Sequence, residues 1–151
     1  MSGIKVRPAT AAEAGRIADF NRALALETEG LALHEPTVMA GVVALMGHPE
    51  RGFYLMAEVD GAPAGCLLVT YEWSDWRNKL FWWISSYYVK PEMRGRGVYA
   101  AMDAALQELA ARAGNVCGFR TYVHRDFKPG LDVYRGLGMV EKEYVVFEDL
   151  L

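Results

Sequence analysis

Cysteine and histidine are scarce in this chain, and their scarcity narrows its chemistry. Thiols occur only at Cys66 and Cys117, with no Cys-x-x-Cys spacing, and imidazoles only at His34, His48 and His124, scattered along the sequence. No metal-ligand pattern results, so no metal is expected. Both cysteines sit in apolar strand-like surroundings, where a thiol behaves as a small buried hydrophobe, and no disulfide is expected. Long hydrophobic runs are also missing. None reaches the roughly 18 residues needed to cross a bilayer, and Met1-Ser2-Gly3-Ile4-Lys5 lacks a signal-peptide pattern, so the expectation is a cytoplasmic protein without a membrane partner. An excess of positive charge is absent as well: the formal net charge is −3. That balance argues against a large footprint on nucleic acid. There is no linker, repeat or low-complexity stretch. With 151 residues, 52% of them hydrophobic, the chain is expected to fold as one domain spanning residues 1–151.

What is present is organised around residues 88–110. Tyr88-Val89-Lys90-Pro91 reads as a strand end, Glu92-Met93-Arg94-Gly95-Arg96-Gly97 as a loop, and a helix follows from about Val98. In that helix Val98, Met102, Ala105, Leu106 and Leu109 form one apolar stripe at helical spacing, and Gly114-Asn115 provides a stop. The loop therefore feeds a helix N-terminus. About four backbone N–H groups lack intrahelical partners there, and the aligned peptide dipoles add roughly half a positive charge. Gly95 and Gly97 let the backbone lie against a bulky ligand, and Arg94 and Arg96 add two cations. The combination suits phosphate oxygens.

These residues resemble the GNAT acetyltransferase superfamily, whose pyrophosphate loop follows Gln/Arg-x-x-Gly-x-Gly/Ala between a central strand and a helix. Arg94 and Gly97 match that pattern, Tyr99 stands at its last position, and Val89-Lys90-Pro91-Glu92 is similar to the family's Val-x-Pro-x lead-in. The resemblance implies acetyl-CoA as cosubstrate, contacted by Tyr88, Val89, Arg94, Gly95, Arg96, Gly97, Val98 and Tyr99. It also implies an α/β fold of the α+β type, a mixed, largely antiparallel central sheet flanked by helices on both faces.

The chain in order is consistent with that fold. Ile4–Arg7 alternates as a strand. Thr10-Ala11-Ala12-Glu13 has capping-box spacing for a helix running to about Thr28, and Thr37 reads as the N-cap of a second helix, Val38 to Met46. Three strands follow, about Phe53–Val59, Ala64–Trp73 and Leu80–Val89, as an antiparallel meander. The third is apolar on both faces, as an interior strand is, and Ser85-Ser86 interrupts it, which suits either a bulge or small residues beneath a helix. Cys117–Val123 reads as a strand reached by a crossover and hence parallel to Leu80–Val89. Asp126–Leu137 reads as a last helix and Glu141–Glu148 as a closing strand. Tyr144-Val145-Val146-Phe147 within it offers an edge for pairing two copies into a homodimer.

Val133-Tyr134-Arg135-Gly136-Leu137-Gly138-Met139 is similar to the family's Leu-Tyr-Glu-Lys-Leu-Gly-Phe signature, whose tyrosine protonates the departing thiolate. Tyr134 falls on that position, and Phe127 stands where the family often has an asparagine. A phenol, with a pKa of about 10 against about 8.5 for a thiol, can donate to a developing thiolate while staying neutral itself. The family's direct transfer leaves both cysteines without an acyl group.

Attack by an amine also needs a proton acceptor. Glu72 is the preferred carboxylate, since Tyr71-Glu72-Trp73-Ser74-Asp75-Trp76 ends a strand with acidic and aromatic groups interleaved. Glu27, Glu29 and His34 are the next candidates, on the acceptor side. With Trp73 and Trp76 offering π faces, these groups favour a cationic amine, either a small molecule or a peptide terminus. The alternative from another class is a noncatalytic acyl-CoA-binding module or sensor.

Overall fold

The computed structural model describes residues 3–151. Strand β1 (Ile4–Pro8) leads through a single 3₁₀ turn (Ala11–Glu13) into α1 (Ala14–Glu29) and then α2 (Glu35–Met46). Three strands follow in series, β2 (Gly52–Val59), β3 (Ala62–Ser74) and β4 (Lys79–Val89). After a second 3₁₀ turn (Pro91–Met93) come α3 (Val98–Ala113), β5 (Val116–Thr121) and α4 (Lys128–Gly136). The sheet order is β1-β2-β3-β4-β5, antiparallel except for the parallel β4–β5 pair.

Alternation along the strands divides the core between two faces. Leu55, Leu67, Val69, Trp82, Ile84, Tyr87 and Val89 point to the side where Val98, Met102 and Leu106 of α3 pack. Tyr54, Met56, Cys66 and Tyr88 point to the other, beneath Ile17 and Phe20 of α1 and Val42 of α2. Met102, Leu106, Leu55 and Leu67 are wholly buried. Helices thus cover both faces, as the resemblance implied.

Ser86 marks the break in β4. Two steps along β3, from Cys66 to Leu68, span three along β4, from Tyr88 to Ser85, and Ser86 takes a left-handed φ of 48°. Of the two readings of the serine pair, this is the bulge. It re-aims the strand from Tyr87 onward.

Two boundaries differ from the sequence reading. The second helix begins at Glu35 with His34 as its N-cap and Pro36 in the first turn, so Thr37 lies inside it; proline's fixed φ suits that first turn and extends the helix toward the N-terminus. The closing strand Glu141–Glu148 is not formed: residues 140–151 have no helix or strand and are exposed throughout. A strand needs a neighbour for its ladder, and no residue of that segment makes a backbone–backbone hydrogen bond to the described residues.

Candidate active site

The β4–β5 ladder ends at Ile84↔Thr121, whereas β4 continues to Val89. β5 itself ends at that rung, so the edge of β4 beyond the bulge has no β5 partner; this unpaired stretch is called the opening. At the end of that edge stands the loop leading into α3. Gly97 is the N-cap of α3 at φ 88°, Gly95 has φ 72°, and no side chain caps the helix. The first N–H groups of α3 are therefore free to bind an anion. A Cβ built on Gly97 would meet only Ile4 Cδ1, at 3.9 Å. These features fit the pyrophosphate of acetyl-CoA.

The two loop arginines have different surroundings. Arg94 forks onto Glu27 with N–O distances of 2.5 and 2.7 Å, donates through Nε to the Val89 carbonyl at 2.9 Å, and lies 5.7 Å from the centre of the Tyr88 ring. Its guanidinium pKa is raised, chiefly by the hydrogen bonds to Glu27. Arg94 thus ties the loop to α1. Arg96 is the more exposed cation; among the described residues its polar partners are Met93 Sδ at 3.3 Å and Asp60 at 3.7 Å. Tyr88 is turned into the α1 face against Phe20 and Val89 is fully buried, so both can meet a ligand at the opening through backbone atoms alone. Val98 is likewise buried.

Three tyrosines line up at the opening. Tyr87 donates its hydroxyl to the Tyr99 carbonyl at 2.9 Å, its ring lies 5.1 Å from that of Tyr99, and Tyr134 meets it edge-on at 6.0 Å. This answers the off-pattern Tyr99: its ring packs on Tyr87. Burial pushes the Tyr134 phenol above its ordinary pKa, with the Thr121 hydroxyl as the polar neighbour pulling the other way. Tyr134 is thus protonated throughout the neutral range. Thr121 itself donates to the Ile84 carbonyl at 2.8 Å, at the last rung of the parallel pair.

On the opposite face of the sheet a cavity of about 380 Å³ lies between α1, α2 and the bulge. Asn21, Thr28, Glu29, Tyr54 and Ser86 supply its polar groups, and Leu24, Leu33, Val38 and Val42 its apolar wall. Asn21 donates to the Tyr54 hydroxyl at 3.5 Å, while its Oδ1 is buried without a partner. Of the predicted acceptor residues only Glu29 lines this cavity. Glu27 is engaged by Arg94, and His34 Nδ1 lies 2.8 Å from Thr37 Oγ1 at the start of α2.

Glu72 and the two tryptophans lie elsewhere. Glu72 pairs with Phe81 in the ladder, five residues along β4 from Ser86, and does not line the cavity. One of its oxygens accepts from Trp83 Nε1 at 3.2 Å and the other from Arg120 at 2.8 Å. Trp73 and Trp76 are exposed, Trp76 by 88%, at the β3–β4 turn. Asn21, Tyr54, Ser86 and Thr121 were not singled out as site residues from the sequence. The serine pair inside an apolar strand was the only signal that pointed to any of them.

Cys66 is buried and its thiol is pushed up to about 12 by burial, while Cys117 is half-buried; both are free. Among the described residues no group of three or more potential metal ligands occurs, and no helix is long and apolar enough to cross a membrane.

A central strand, a glycine loop, an uncapped helix start and a tyrosine packed edge-on against that strand together make up the candidate site. The model of the Acetyltransferase (GNAT) family matches residues 20–139, and the chain belongs to that family. A solved structure of a possible acetyltransferase from Clostridium difficile 630 is 34% identical, covers 98% of this chain and 97% of its own, and superposes with a TM-score of 0.90. A predicted acetyltransferase with acetyl-CoA from Clostridium acetobutylicum is 14% identical, with coverages of 97% and 96% and a TM-score of 0.77. An aminoglycoside N-acetyltransferase in complex with CoA is 18% identical, with coverages of 99% and 96% and a TM-score of 0.75. The last two share the fold. No curated protein matches the chain.

Proposed function

We propose that this protein moves an acetyl group from acetyl-CoA to a primary amine of a small molecule or peptide. The observation that carries the reading is the bulge at Ser86. It lines the cavity between α1 and α2 on one face, and it sits at the start of the β4 edge that β5 leaves unpaired. An amine held in the cavity and a thioester held along the edge would meet at one point of the strand.

The cosubstrate would supply the activated acetyl thioester. The chain's own groups would do the rest. Backbone N–H groups of Gly97, Val98 and Tyr99 would hold the pyrophosphate, with Arg96 as an exposed countercharge and Arg94 fixing the loop. The free edge of β4 from Tyr87 to Val89 offers backbone groups to an extended amide-bearing arm. Tyr134 keeps its proton at neutral pH and would give it to the sulfur as that atom leaves.

An amine arrives mostly as an ammonium ion, and a carboxylate in the cavity both attracts it and can take its proton. Support for Glu29 over Glu72 in that role comes from position: Glu29 lines the cavity, and each oxygen of Glu72 already accepts a hydrogen bond. Apolar surface beside that carboxylate suits an amine carrying a short hydrophobic group.

Free-thiol release from acetyl-CoA across a panel of amines, run beside thermal unfolding with CoA, tests the reading. Ligand at about a hundredfold excess over its dissociation constant should stabilise the folded state by roughly 2.7 kcal/mol. Thiol release should appear with at least one hydrophobic primary amine. Stabilisation without turnover on any amine would instead support an acyl-CoA sensor, and no shift at millimolar CoA would remove the ligand assignment.

A further inference from the structure

The cavity between α1 and α2, at about 380 Å³, has the size of a small-molecule site, and its walls carry a single charge. Among the described residues that line it only Glu29 is charged. Glu29 is exposed and so stands at the mouth. Asn21, Thr28, Tyr54 and Ser86 are polar and neutral, and burial raises the Tyr54 phenol above its ordinary pKa. The remaining wall is apolar, made chiefly by Leu24, Leu33, Val38 and Val42.

Two cations beside the second half of α1 are turned to carboxylates outside the cavity. Arg94 forks onto Glu27, and Arg22 lies 3.6 Å from both Asp19 and Glu35. Neither lines the cavity. A negatively charged group brought inside would therefore find no countercharge on the wall, would lose water against leucine and valine side chains, and would be repelled by Glu29. An unpaired charge is costly to bury, and like charges placed side by side add to that cost. A second ammonium fares little better. One carboxylate at the mouth can hold one cation, so the other end of a diamine would lie against the apolar wall without a partner.

A site selects by what it would leave unpaired as much as by what it attracts. We propose that the α1–α2 cavity takes small hydrophobic monoamines and excludes amines that carry a second charge, free amino acids and diamines alike. The inference rests on the acetyl-transfer reading above and narrows its acceptor. Glu29 draws the single ammonium to the mouth, and the uncharged remainder of the molecule covers the leucine and valine wall.

Two matched pairs test this, by thiol release from acetyl-CoA and by calorimetric binding to the CoA-loaded protein. Leucinol and leucine share a skeleton and differ by an alcohol in place of a carboxylate; pentylamine and 1,5-diaminopentane differ by one ammonium. Leucinol and pentylamine should each be favoured by roughly tenfold or more. Leu33→Arg sets a cation into the apolar wall, in the connection between α1 and α2, and should bring the leucinol-to-leucine ratio toward one. The readout is a ratio within one variant, so a general loss of rate does not mask it. Glu29→Gln removes the like charge at nearly constant volume and should shift the same ratio in the same direction by less, because an exposed charge is screened. Leucine binding as well as leucinol, the diamine as well as pentylamine, no binding by any of the four, or unchanged ratios in both variants would each overturn the selection. Preferential binding of leucinol and pentylamine without thiol release from any amine would leave the selection standing and remove the transfer reaction.

Discussion

Helices α3 and α4 both follow strands that end at the opening, and each contributes a proposed site group, yet the fold holds them very differently. Helix α3 sinks Val98, Met102 and Leu106 into the sheet and packs against β1, β2, β3 and β5. Helix α4 buries no residue fully, and Tyr134 reaches the core only as a partly buried ring against Tyr87. The proposed phosphate loop therefore rests on a helix anchored by three buried side chains. The proposed proton donor rests on a helix with no fully buried residue. If the proposed roles hold, a site divided in this way would bind its cosubstrate on a well-packed surface and place the leaving-group chemistry on a lightly packed element.

The largest effect should come from α4. Tyr134→Phe keeps the ring and removes the hydroxyl, so kcat should fall by roughly 10²–10⁴ with CoA affinity nearly constant. Melting temperature should hardly move, since α4 contributes little burial. A donor with a better leaving thiol should recover part of the rate. Full activity of the folded variant would remove Tyr134 from the chemistry, and a lower melting temperature with normal turnover would make it a packing residue. Because burial raises the phenol's pKa, its loss of a proton should affect the parent's rate only at alkaline pH above the ordinary phenol range.

The opposite pattern is expected for α3. Met102 is fully buried, and Met102→Ala should cost about 2–5 kcal/mol of stability. In a chain of this size that lowers the melting temperature by at least about 4 °C. Turnover per folded molecule should stay close to the parent's. A large kinetic defect at temperatures where the variant is folded would show that the two helices are coupled more tightly than their burial implies.

Next in size is the loop. Gly97 sits at φ 88°, where a β-branched residue is strained by about 1–3 kcal/mol and would stand before the α3 amides. Gly97→Val should weaken CoA binding by roughly tenfold or more, read by calorimetry on protein shown to be folded. Unchanged affinity would move the phosphate site away from this loop.

The smallest effect lies far from the opening. Arg7 bonds Glu13 at 2.6 Å and Glu58 at 2.6 Å, and its hydrogen bond lowers the Glu13 pKa from 4.5 to about 2. A carboxylate depressed on folding adds stability that is complete above its unfolded pKa and is lost as the pH falls through the folded one. Stability should therefore decline between about pH 4.5 and 2, and Arg7→Met should remove most of that slope. An identical acid profile for parent and variant would show that other carboxylates control it.

Much of this molecule was determined by local sequence chemistry. The stripe Val98, Met102, Leu106 could be buried only on one side of a helix, and Gly97 at the N-cap made the loop recognisable. The apolar run Leu80–Val89 needed cover on both faces, and Ser85-Ser86 marked where that run is interrupted, leaving the structure to decide for a bulge. Each is a short-range pattern whose meaning survives without knowledge of the neighbours. Tertiary structure alone decided what depends on distant partners. Glu72 and Glu29 are both acidic residues in the sequence, but Arg120 and Trp83 occupy the first while the second opens into a cavity. Glu27 was bound to Arg94 across 67 positions of chain, and Trp73 and Trp76 turned out to face solvent. Residues 141–148 carry a strand's composition and form no strand in the single chain. Strand propensity is expressed only through a ladder, and the neighbour that completes a ladder is supplied by the fold or by a second molecule.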